Sequence, residues 1–458
     1  MEEPFSNFHH FGQRFQPPVP PTIRAATVMG PLRYALLLLL AFGGKEAHAA
    51  DIAVRPDSSA QWMVNLTLGG DRRLVIFDTG QTETIVDGSP CEYGVEPGWD
   101  EAGFTVNETA SPAESLNQGF GVNANVGNVA AATMGSLEVS DKQLWAAFEI
   151  YNSQNASAPP PATNPYTQND GILGAAEYDA SFCSRVIFNN TCTPSSLLLD
   201  FVHEAAEQGE GAAEAFSVFL PPFTPPGVYD GVVGTLTLGD RRSDFEAGLA
   251  AVTVPRADEL GAMQAAFAAG TSGIVNGKWW FAADDVLVNG VSTGACAAGP
   301  NNTLGKCLIF TDTGMPYVSV DPQLLTSDQQ AAFAAWLDEE SYNPAFPYDY
   351  CDELSAIPLN LTISVGGLLL SVTPPDMAFK QMVHNGRDFC SAMLFVRSAQ
   401  AGFDNPSDPF YALPAPAVFA GNIWLRNFYV THSLRTTASA ASMTLGCALD
   451  GLGKCTTA

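Results

Sequence analysis

Short apolar runs separated by turn-forming residues make up most of the chain. The runs are rich in Val, Ile, Leu and Phe and end at Gly, Asn, Asp or Pro, a pattern typical of strands joined by tight turns. Helical periodicity is limited to short segments, among them 195–208 and 328–338. The pattern therefore predicts an all-β fold with a few surface helices. Predicted strands include residues 62–68, 74–77, 308–311 and 317–320.

An internal repeat relates the two halves of the chain. The first half contains LVIFDTG at residues 74–80, and the second contains LIFTDTG at 308–314. An apolar segment that ends in Gly follows each of them, GILG at 171–174 and VFAG at 418–421. We therefore predict a duplicated lobe, in which the two Asp-Thr-Gly turns meet near an approximate two-fold axis.

Facing turns of this kind would bring together the carboxyl groups of Asp78 and Asp312. Two carboxylates in one buried site cannot both ionise, so they share a proton and can activate a water molecule held between them. This chemistry needs no metal and no cofactor. A single Asp-Thr-Gly would be read as an ordinary turn, but two copies in equivalent positions favour a paired site. The supporting turn residues are Thr79, Gly80, Thr313 and Gly314.

The charge balance excludes one large class of functions. The 458 residues include 20 Lys and Arg against 48 Asp and Glu, which gives a formal net charge of −28. Nucleic-acid binders draw their affinity from clustered Lys and Arg, so we expect no nucleic-acid partner. The hydrophobic fraction of 46% is sufficient for a large buried core.

The N-terminal region predicts export. Residues 29–49 contain Arg33, an apolar run at 35–42 and small residues around Ala49, which is the pattern of a signal peptide. A membrane-spanning helix needs roughly 20 apolar residues, so we expect a secreted protein with no stable membrane anchor. Residues 1–28 are Pro-rich and polar, and are interpreted either as a disordered extension or as a misassigned start.

Cysteines and glycosylation motifs agree with an oxidising compartment. The zinc alternative is poor because no Cys-x-x-Cys spacing is present, and Cys91 is left unpaired. Eight of the nine cysteines form sequence-local pairs, Cys183 with Cys192, Cys296 with Cys307, Cys351 with Cys390 and Cys447 with Cys455. The candidate glycosylation sites are Asn65, Asn107, Asn155, Asn189, Asn301 and Asn360.

From about residue 60 to 446, the chain resembles the pepsin-like aspartic proteases. The stretches NDGILG at 169–174, GKWWF at 277–281 and GNIWLRNFY at 421–429 carry this resemblance together with the two Asp-Thr-Gly turns. The positions of the 296–307 and 351–390 cysteine pairs also match disulfides of that family. The resemblance implies a bilobal β fold with lobes at residues 50–250 and 251–458 and a cleft between them. It further implies an endopeptidase for peptide or protein substrates, with Asp78 and Asp312 as its catalytic residues. Because nothing in the sequence indicates an oligomer, we expect a monomer.

In the same family a hairpin flap closes the cleft. Residues 120–127 align with its tip, which assigns a flap and substrate-binding role to Phe120 and Gly121. Phe120 stands where the family has Tyr, and Ile85 stands where it has Trp, so apolar packing would replace their hydrogen bond. The plainer alternative is that Phe120 is an ordinary hairpin aromatic.

Other departures from the family pattern flank the two aspartates. The residue after each Asp-Thr-Gly is usually Ser or Thr, whose hydroxyl binds the carboxylate, but here the two residues are Gln81 and Met315. Because Met315 has no donor, we expect Asp312 to be less stabilised as an anion and to titrate higher. About 29 residues separate the predicted cleavage site from Asp78, which leaves no room for a prosegment. The chain is therefore either made active or is not a protease.

Two other functions compete with this prediction. GVSTG at residues 290–294 matches the Gly-x-Ser-x-Gly elbow of esterases, with Ser292 as nucleophile and His384 or His432 as base. A loop rather than a helix follows it, so a simple turn is favoured. The stronger rival is a catalytically silent pepsin-fold protein that binds a ligand in its cleft. Gln81 and Met315 favour that rival, whereas the retention of both aspartates favours the enzyme.

Overall fold

The computed structural model describes most of the chain from residue 50 onward, all of it within one compact unit, Ala47–Ala458. The predictions for residues 1–28 and for the signal peptide concern residues outside this description. The described residues are 50–56, 61–93, 105–108, 113–117, 120–151, 170–177, 196–209, 213–220, 233–239, 250–261, 277–300, 302–340, 348–354, 359–396, 413–447 and 455–457.

Strands dominate both halves, so the predicted all-β class is confirmed. The first half contains one helix, α1 (Leu197–Gln208), within its described part. Its strands are β1 (Ala50–Pro56), β2 (Trp62–Leu68), β3 (Asp71–Asp78), β4 (Ile85–Tyr93), β5 (Asn107–Glu108), β6 (Ala113–Asn117), β7 (Phe120–Met134), β8 (Leu137–Tyr151), β9 (Gly171–Gly174), β10 (Ala215–Phe219) and β11 (Gly234–Leu238).

The second half has shorter strands and a few short helices. Its strands are β12 (Ala251–Pro255), β13 (Trp280–Ala283), β14 (Asp285–Val288), β15 (Val291–Ser292), β16 (Cys307–Thr311), β17 (Val318–Val320), β18 (Tyr348–Tyr350), β19 (Leu361–Val365), β20 (Leu368–Val372), β21 (Ala378–His384), β22 (Arg387–Ala392), β23 (Leu394–Val396), β24 (Ala417–Ala420), β25 (Phe428–Ser433), β26 (Ser442–Cys447) and β27 (Cys455–Thr457). Its α-helices are α2 (Ser327–Glu340), α3 (Cys351–Leu354), α4 (Pro374–Met377) and α5 (Asn422–Leu425). Single 3₁₀ turns cover Ala257–Glu259 and Pro322–Leu324.

One large sheet contains strands from both halves. Its path runs β12-β26-β25-β10-β11-β1-β2-β3-β9-β4-β8-β7-β5, with β6 beside β7. Because β7 also pairs with β2, the six strands β2, β3, β9, β4, β8 and β7 close into a barrel. The antiparallel pairing of β10 with β25 joins strands of the two halves directly.

The same strand-pairing pattern occurs once in each half. In the first, β9 lies parallel to β3 and antiparallel to β4, and β4 lies parallel to β8. In the second, β24 lies parallel to β16 and antiparallel to β17, and β17 lies parallel to β23. Strands β9 and β24 are buried at every position, and each lies inside its sheet between one parallel and one antiparallel neighbour. The repeat in the sequence therefore corresponds to a repeated topology.

A cluster of aromatic side chains packs where the halves meet. Phe216 on β10 makes edge contacts with Phe77 at 6.1 Å and with Trp279 at 5.6 Å between ring centroids. All three side chains are fully buried. The indole N–H of Trp279 donates to the carbonyl of Ala175 at 2.8 Å, which adds a polar link between the halves.

Three of the four predicted disulfides are present: Cys296–Cys307, Cys351–Cys390 and Cys447–Cys455. Cys183 and Cys192 lie outside the described residues, as do Asn155, Asn189 and Asn301. The described glycosylation candidates, Asn65, Asn107 and Asn360, are all exposed. No helix in the described part of the chain combines the length and the apolar character needed to cross a bilayer.

Candidate functional site

The two Asp-Thr-Gly turns begin where equivalent strands end. Asp78 is the last residue of β3, and Asp312 directly follows β16. Each is held against the parallel neighbour of its strand. Ala175 N–H donates to the Asp78 carbonyl at 2.8 Å, and Asp312 N–H donates to the Ala420 carbonyl at 3.2 Å. Buried apolar strands thus fix the backbone of both turns.

The two threonines bind the turns to each other by reciprocal hydrogen bonds. Thr79 N–H donates to Thr313 Oγ1 at 2.9 Å, and Thr313 N–H donates to Thr79 Oγ1 at 3.0 Å. Each hydroxyl also donates to the opposite strand, Thr79 to the Thr311 carbonyl at 3.0 Å and Thr313 to the Phe77 carbonyl at 2.7 Å. The two turns therefore form one rigid unit across the halves.

Glycine is required at the third position of each turn because the opposite carboxyl group lies against it. A Cβ atom built on Gly80 would lie 2.6 Å from Cγ of Asp312, and one built on Gly314 would overlap the Asp78 carboxyl group. Neither glycine has a positive φ, so close approach rather than turn conformation explains it. The structure thus brings both predicted carboxyl groups into a single site.

The two carboxyl groups receive different numbers of hydrogen bonds. Asp78 Oδ1 accepts from the backbone N–H of Gly80 at 2.7 Å and of Gln81 at 3.1 Å. Asp312 Oδ1 accepts from the N–H of Gly314 at 2.9 Å. The side chains of Asp78 and Asp312 are also hydrogen-bonded to each other. Donors to a carboxylate favour its charged form, so the arrangement favours a charge on Asp78.

Burial raises the pKa of both aspartates. For Asp312 the negative charge of Asp78 acts in the same direction and holds its pKa well above the ordinary value. For Asp78 burial is opposed by its hydrogen bonds to Asp312 and Gly80. The arrangement therefore favours a single proton shared by the pair, and its titration belongs to both groups together.

The residues that follow the turns do not supply hydroxyl donors. The side-chain Nε2 of Gln81 donates to Glu83 Oε2, and it is the Gln81 backbone that reaches Asp78. Met315 packs against an apolar cluster that includes Trp280 and Phe310. The pKa of Asp312 is raised first by burial and then by the negative charge of Asp78, so an effect of Met315 on it stays a prediction.

Three contributors to the site were not predicted. Asn422 Nδ2 donates to the Thr313 carbonyl at 2.7 Å, Glu83 accepts from the side chain of Gln81, and the positive charge of Lys278 acts on both aspartates. Asn422 lies in GNIWLRNFY, where the similar family stretch has Asp, so its position could have indicated a role. Glu83 had a signal too, as an acidic residue only two positions before the start of β4. No local sequence signal marked Lys278, because its position relative to the two aspartates depends on the tertiary fold.

The predicted flap segment is placed differently from expectation. Residues 120–127 run as the first part of β7, and Asn117 pairs with Phe120, so the β6–β7 connection precedes Phe120. The prediction that 120–127 forms a hairpin tip is therefore wrong in register, because the alternating apolar and small residues continue as strand. The structure does not describe the side chain of Phe120 or the burial of its neighbour Gly121. Ile85 packs with Val122 and Trp145 in a buried apolar cluster.

The esterase alternative gains no support. Ser292 Oγ donates to Asp285 Oδ1 at 2.9 Å, and turns rather than a helix follow β15. His432 is buried and stacked on Phe216 at 4.5 Å, and the His384 side chain is outside the described ones. Residues 289–290 form a turn, Val291–Ser292 form β15 and a bend follows at Gly294, so the turn predicted at residues 290–294 is interrupted by a short strand.

Neither a metal centre nor a known relative adds to this picture. Within the described ranges, no group of three or more His, Cys, Asp or Glu side chains is arranged to hold a metal ion. A scan against protein-family models finds no matching family, and a search of curated proteins finds no match. The resemblance to pepsin-like proteases therefore stays a prediction from motifs, and the geometry of the site is the basis for its function.

Proposed function

We propose that this protein is an aspartic endopeptidase with a pepsin-like bilobal fold, and that Asp78 and Asp312 are its catalytic residues. The reciprocal threonine hydrogen bonds carry the proposal, since they hold together the buried Asp78 and the half-buried Asp312 from opposite halves of the chain. Two mutually repelling acids in one buried site destabilise a protein, so their presence indicates a chemical role. The repeated strand pairing around β9 and β24 supports the duplicated lobe.

Each carboxyl group then has its own part in peptide hydrolysis. Asp78 carries the negative charge and takes a proton from a water molecule bound between the pair. Asp312 donates its proton toward the carbonyl oxygen of the peptide bond. Hydroxide adds to the carbonyl carbon to form a gem-diol. Asp78 then gives its proton to the nitrogen while Asp312 takes a proton back from a gem-diol hydroxyl, so the C–N bond breaks, an amine and a carboxylic acid leave, and the pair returns to its starting state. No covalent bond to the protein forms. This is the general chemistry of the aspartic-protease dyad, in which two carboxyl groups share one proton.

The substrate class follows from the site and the strands around it. A peptide carbonyl is the group that a charged and a protonated carboxyl can activate together. An extended peptide would be held by strand-like pairing, the mode in which backbone groups supply affinity. We propose activity at acidic pH, where one proton remains on the pair.

Hydrolysis of a denatured protein by purified, secreted material tests this function. At an acidic pH, wild type should release peptides, and Asp78→Asn and Asp312→Asn should each lose roughly a thousand-fold or more of the rate. Unfolding midpoints of all three proteins establish that the variants are folded. Equal activity in wild type and either folded variant would contradict the assignment.

A catalytically silent binding protein is the second candidate. It is favoured by the side chains after the turns, because Gln81 Nε2 donates to Glu83 and Met315 packs in an apolar cluster. In that case wild type and both variants would be equally inert while folded. Peptide binding by wild type, measured calorimetrically, would then identify the cleft as a recognition site.

A further inference from the structure

Glu83 is a third carboxyl group in the candidate site, and peptide hydrolysis as proposed does not use it. Its side chain is buried, with 6% exposed. Its Oε2 accepts hydrogen bonds from Nε2 of Gln81 and from Oγ1 of Thr82, the latter at 2.8 Å. An acidic side chain in such a place carries a cost in stability, so its partners indicate what it does.

The contact with Gln81 connects Glu83 to the reacting pair. While its side chain binds Glu83, the backbone N–H of Gln81 donates to Asp78 Oδ1 at 3.1 Å. The Gln81 carbonyl accepts from Ala176 N–H at 2.9 Å, which anchors the residue from the β9 side. Glu83 therefore acts on a residue that donates directly to the catalytic carboxylate.

Lys278 supplies positive charge to this group of acids. It directly precedes Trp279, whose carbonyl accepts from Thr311 N–H at 3.0 Å, one residue before Asp312. Its Nζ lies 5.9 Å from the ring centroid of Phe310. The positive charge of Lys278 favours the ionised forms of Asp78, Asp312 and Glu83 alike.

The positive charge of Lys278 is thus shared by three carboxyl groups, of which Asp78 and Glu83 are buried and Asp312 is half-buried. Full ionisation would leave excess negative charge in a region with little solvent to screen it. Burial raises the pKa of Glu83, as it does for the two aspartates. The proton content of the site therefore depends on Glu83 and Lys278 as well as on the pair.

We propose that Glu83 is a positioning residue, which holds the Asp78 turn through Gln81 and, with Lys278, sets the pH at which Asp78 and Asp312 lose their shared proton. The inference rests on the proposed hydrolase function. Because Glu83 is acidic and Lys278 is basic, the proposal requires the two residues to shift that pH in opposite directions. A residue with a purely structural role has no such requirement.

Matched neutral variants test the opposition. Glu83→Gln removes a negative charge, so the pair should lose its proton more readily and the alkaline limb of kcat/KM should move to lower pH. Lys278→Gln removes the positive charge and should move the same limb to higher pH. We expect shifts of roughly half a pH unit or more, with the double variant close to wild type. Glu138→Gln, which removes an exposed carboxylate on β8, is the control and should leave the limb in place.

Shifts in the same direction, or an unchanged limb in Glu83→Gln, would overturn the inference.

A second readout does not depend on activity. Because the folded pKa of Glu83 is raised, its ionisation lowers stability as pH rises above the unfolded value. The urea unfolding midpoint of Glu83→Gln, relative to that of wild type, should therefore increase as the pH is raised from about 4 to about 7. A difference between the two midpoints that does not change with pH would overturn the inference. If wild type hydrolyses no peptide but the relative midpoint of Glu83→Gln still increases with pH, the hydrolase function is rejected and Glu83 remains a proton-binding residue of the site.

Discussion

At the scale of single residues, the hydroxyl groups of Thr79 and Thr313 hold the two carboxyl groups in position relative to each other. Each hydroxyl both donates to a carbonyl and accepts from an N–H of the opposite turn. All four partners are backbone groups in a buried region, where an unmade hydrogen bond costs about 1 to 3 kcal/mol. Neither hydroxyl can be lost without leaving a donor and an acceptor unpaired.

Thr79→Val is therefore expected to lower the free energy of unfolding by roughly 2 to 4 kcal/mol, because two backbone groups lose their partner in a shape that is otherwise kept. The rate of peptide hydrolysis should fall with it as the carboxyl groups lose alignment. Urea unfolding and kcat measure the two effects. Thr79→Ser is the control, since it keeps the hydroxyl, and Val matching Ser in both would contradict the account.

The residues of the pair were predictable, but their surroundings were only partly so. Asp78 and Asp312 stand in a repeated motif, which is a local signal in each half. The partner of the Gln81 side chain was not predictable, since a flexible amide chooses among neighbours that only the folded turn defines. Lys278 reaches the pair through tertiary packing, and nothing in its local sequence marks it.

At the scale of elements, the apolar runs predicted the strands well. Residues 62–68 form β2 as predicted, and the predicted strands 74–77 and 308–311 lie within β3 and β16. The helices predicted at 195–208 and 328–338 are α1 and α2, so these predictions are confirmed. The prediction of a flap tip at residues 120–127 was wrong because a strand with small residues and a turn with small residues look alike in sequence.

Strand β25 carries an unusual buried histidine. His432 is stacked on Phe216 and touches Trp279 edge-on at 4.7 Å between ring centroids. Burial lowers its pKa to about 3. The unfolded chain binds a proton near the ordinary pKa of about 6.5, and the folded chain does so only near 3. Stability is therefore lost as pH falls between these two values.

His432→Leu should remove this loss, because leucine cannot be protonated in either state. Its free energy of unfolding relative to wild type should rise by roughly 3 to 5 kcal/mol between about pH 7 and about pH 3. Chemical denaturation at several pH values measures the difference. His203→Leu changes an exposed ring on α1 and serves as the control. A difference for His432→Leu that is constant with pH would contradict the assignment.

At the scale of the whole molecule, the two halves are joined by more than the candidate site. Strands β10 and β25 pair across them, and a buried ion cluster adds a second link. Arg256, with 2% of its side chain exposed, binds Glu177 at 2.5 Å and Asp258 at 2.6 Å. Its guanidinium also lies 5.2 Å from the ring centroid of Trp279. These contacts bind the segment after β9 to the second half.

Glu177→Gln should lower the free energy of unfolding by roughly 3 kcal/mol, since it leaves part of a buried guanidinium uncompensated. Asp352→Asn breaks an exposed pair with Arg387 and should have a much smaller effect. Urea unfolding of both variants in the same buffer compares them directly. Equal effects would mean that the cluster contributes no more than a surface ion pair.

Asp78 and Asp312 are proposed above all to act as one proton-sharing pair. The most direct test is kcat/KM for a peptide substrate from about pH 2 to about pH 7, the range in which coupled carboxyl groups titrate. Wild type should give a bell-shaped profile, and Asp78→Asn and Asp312→Asn should be inactive at every pH while folded. Activity that survives in either folded variant, or a wild-type profile with a single limb, would contradict the proposal.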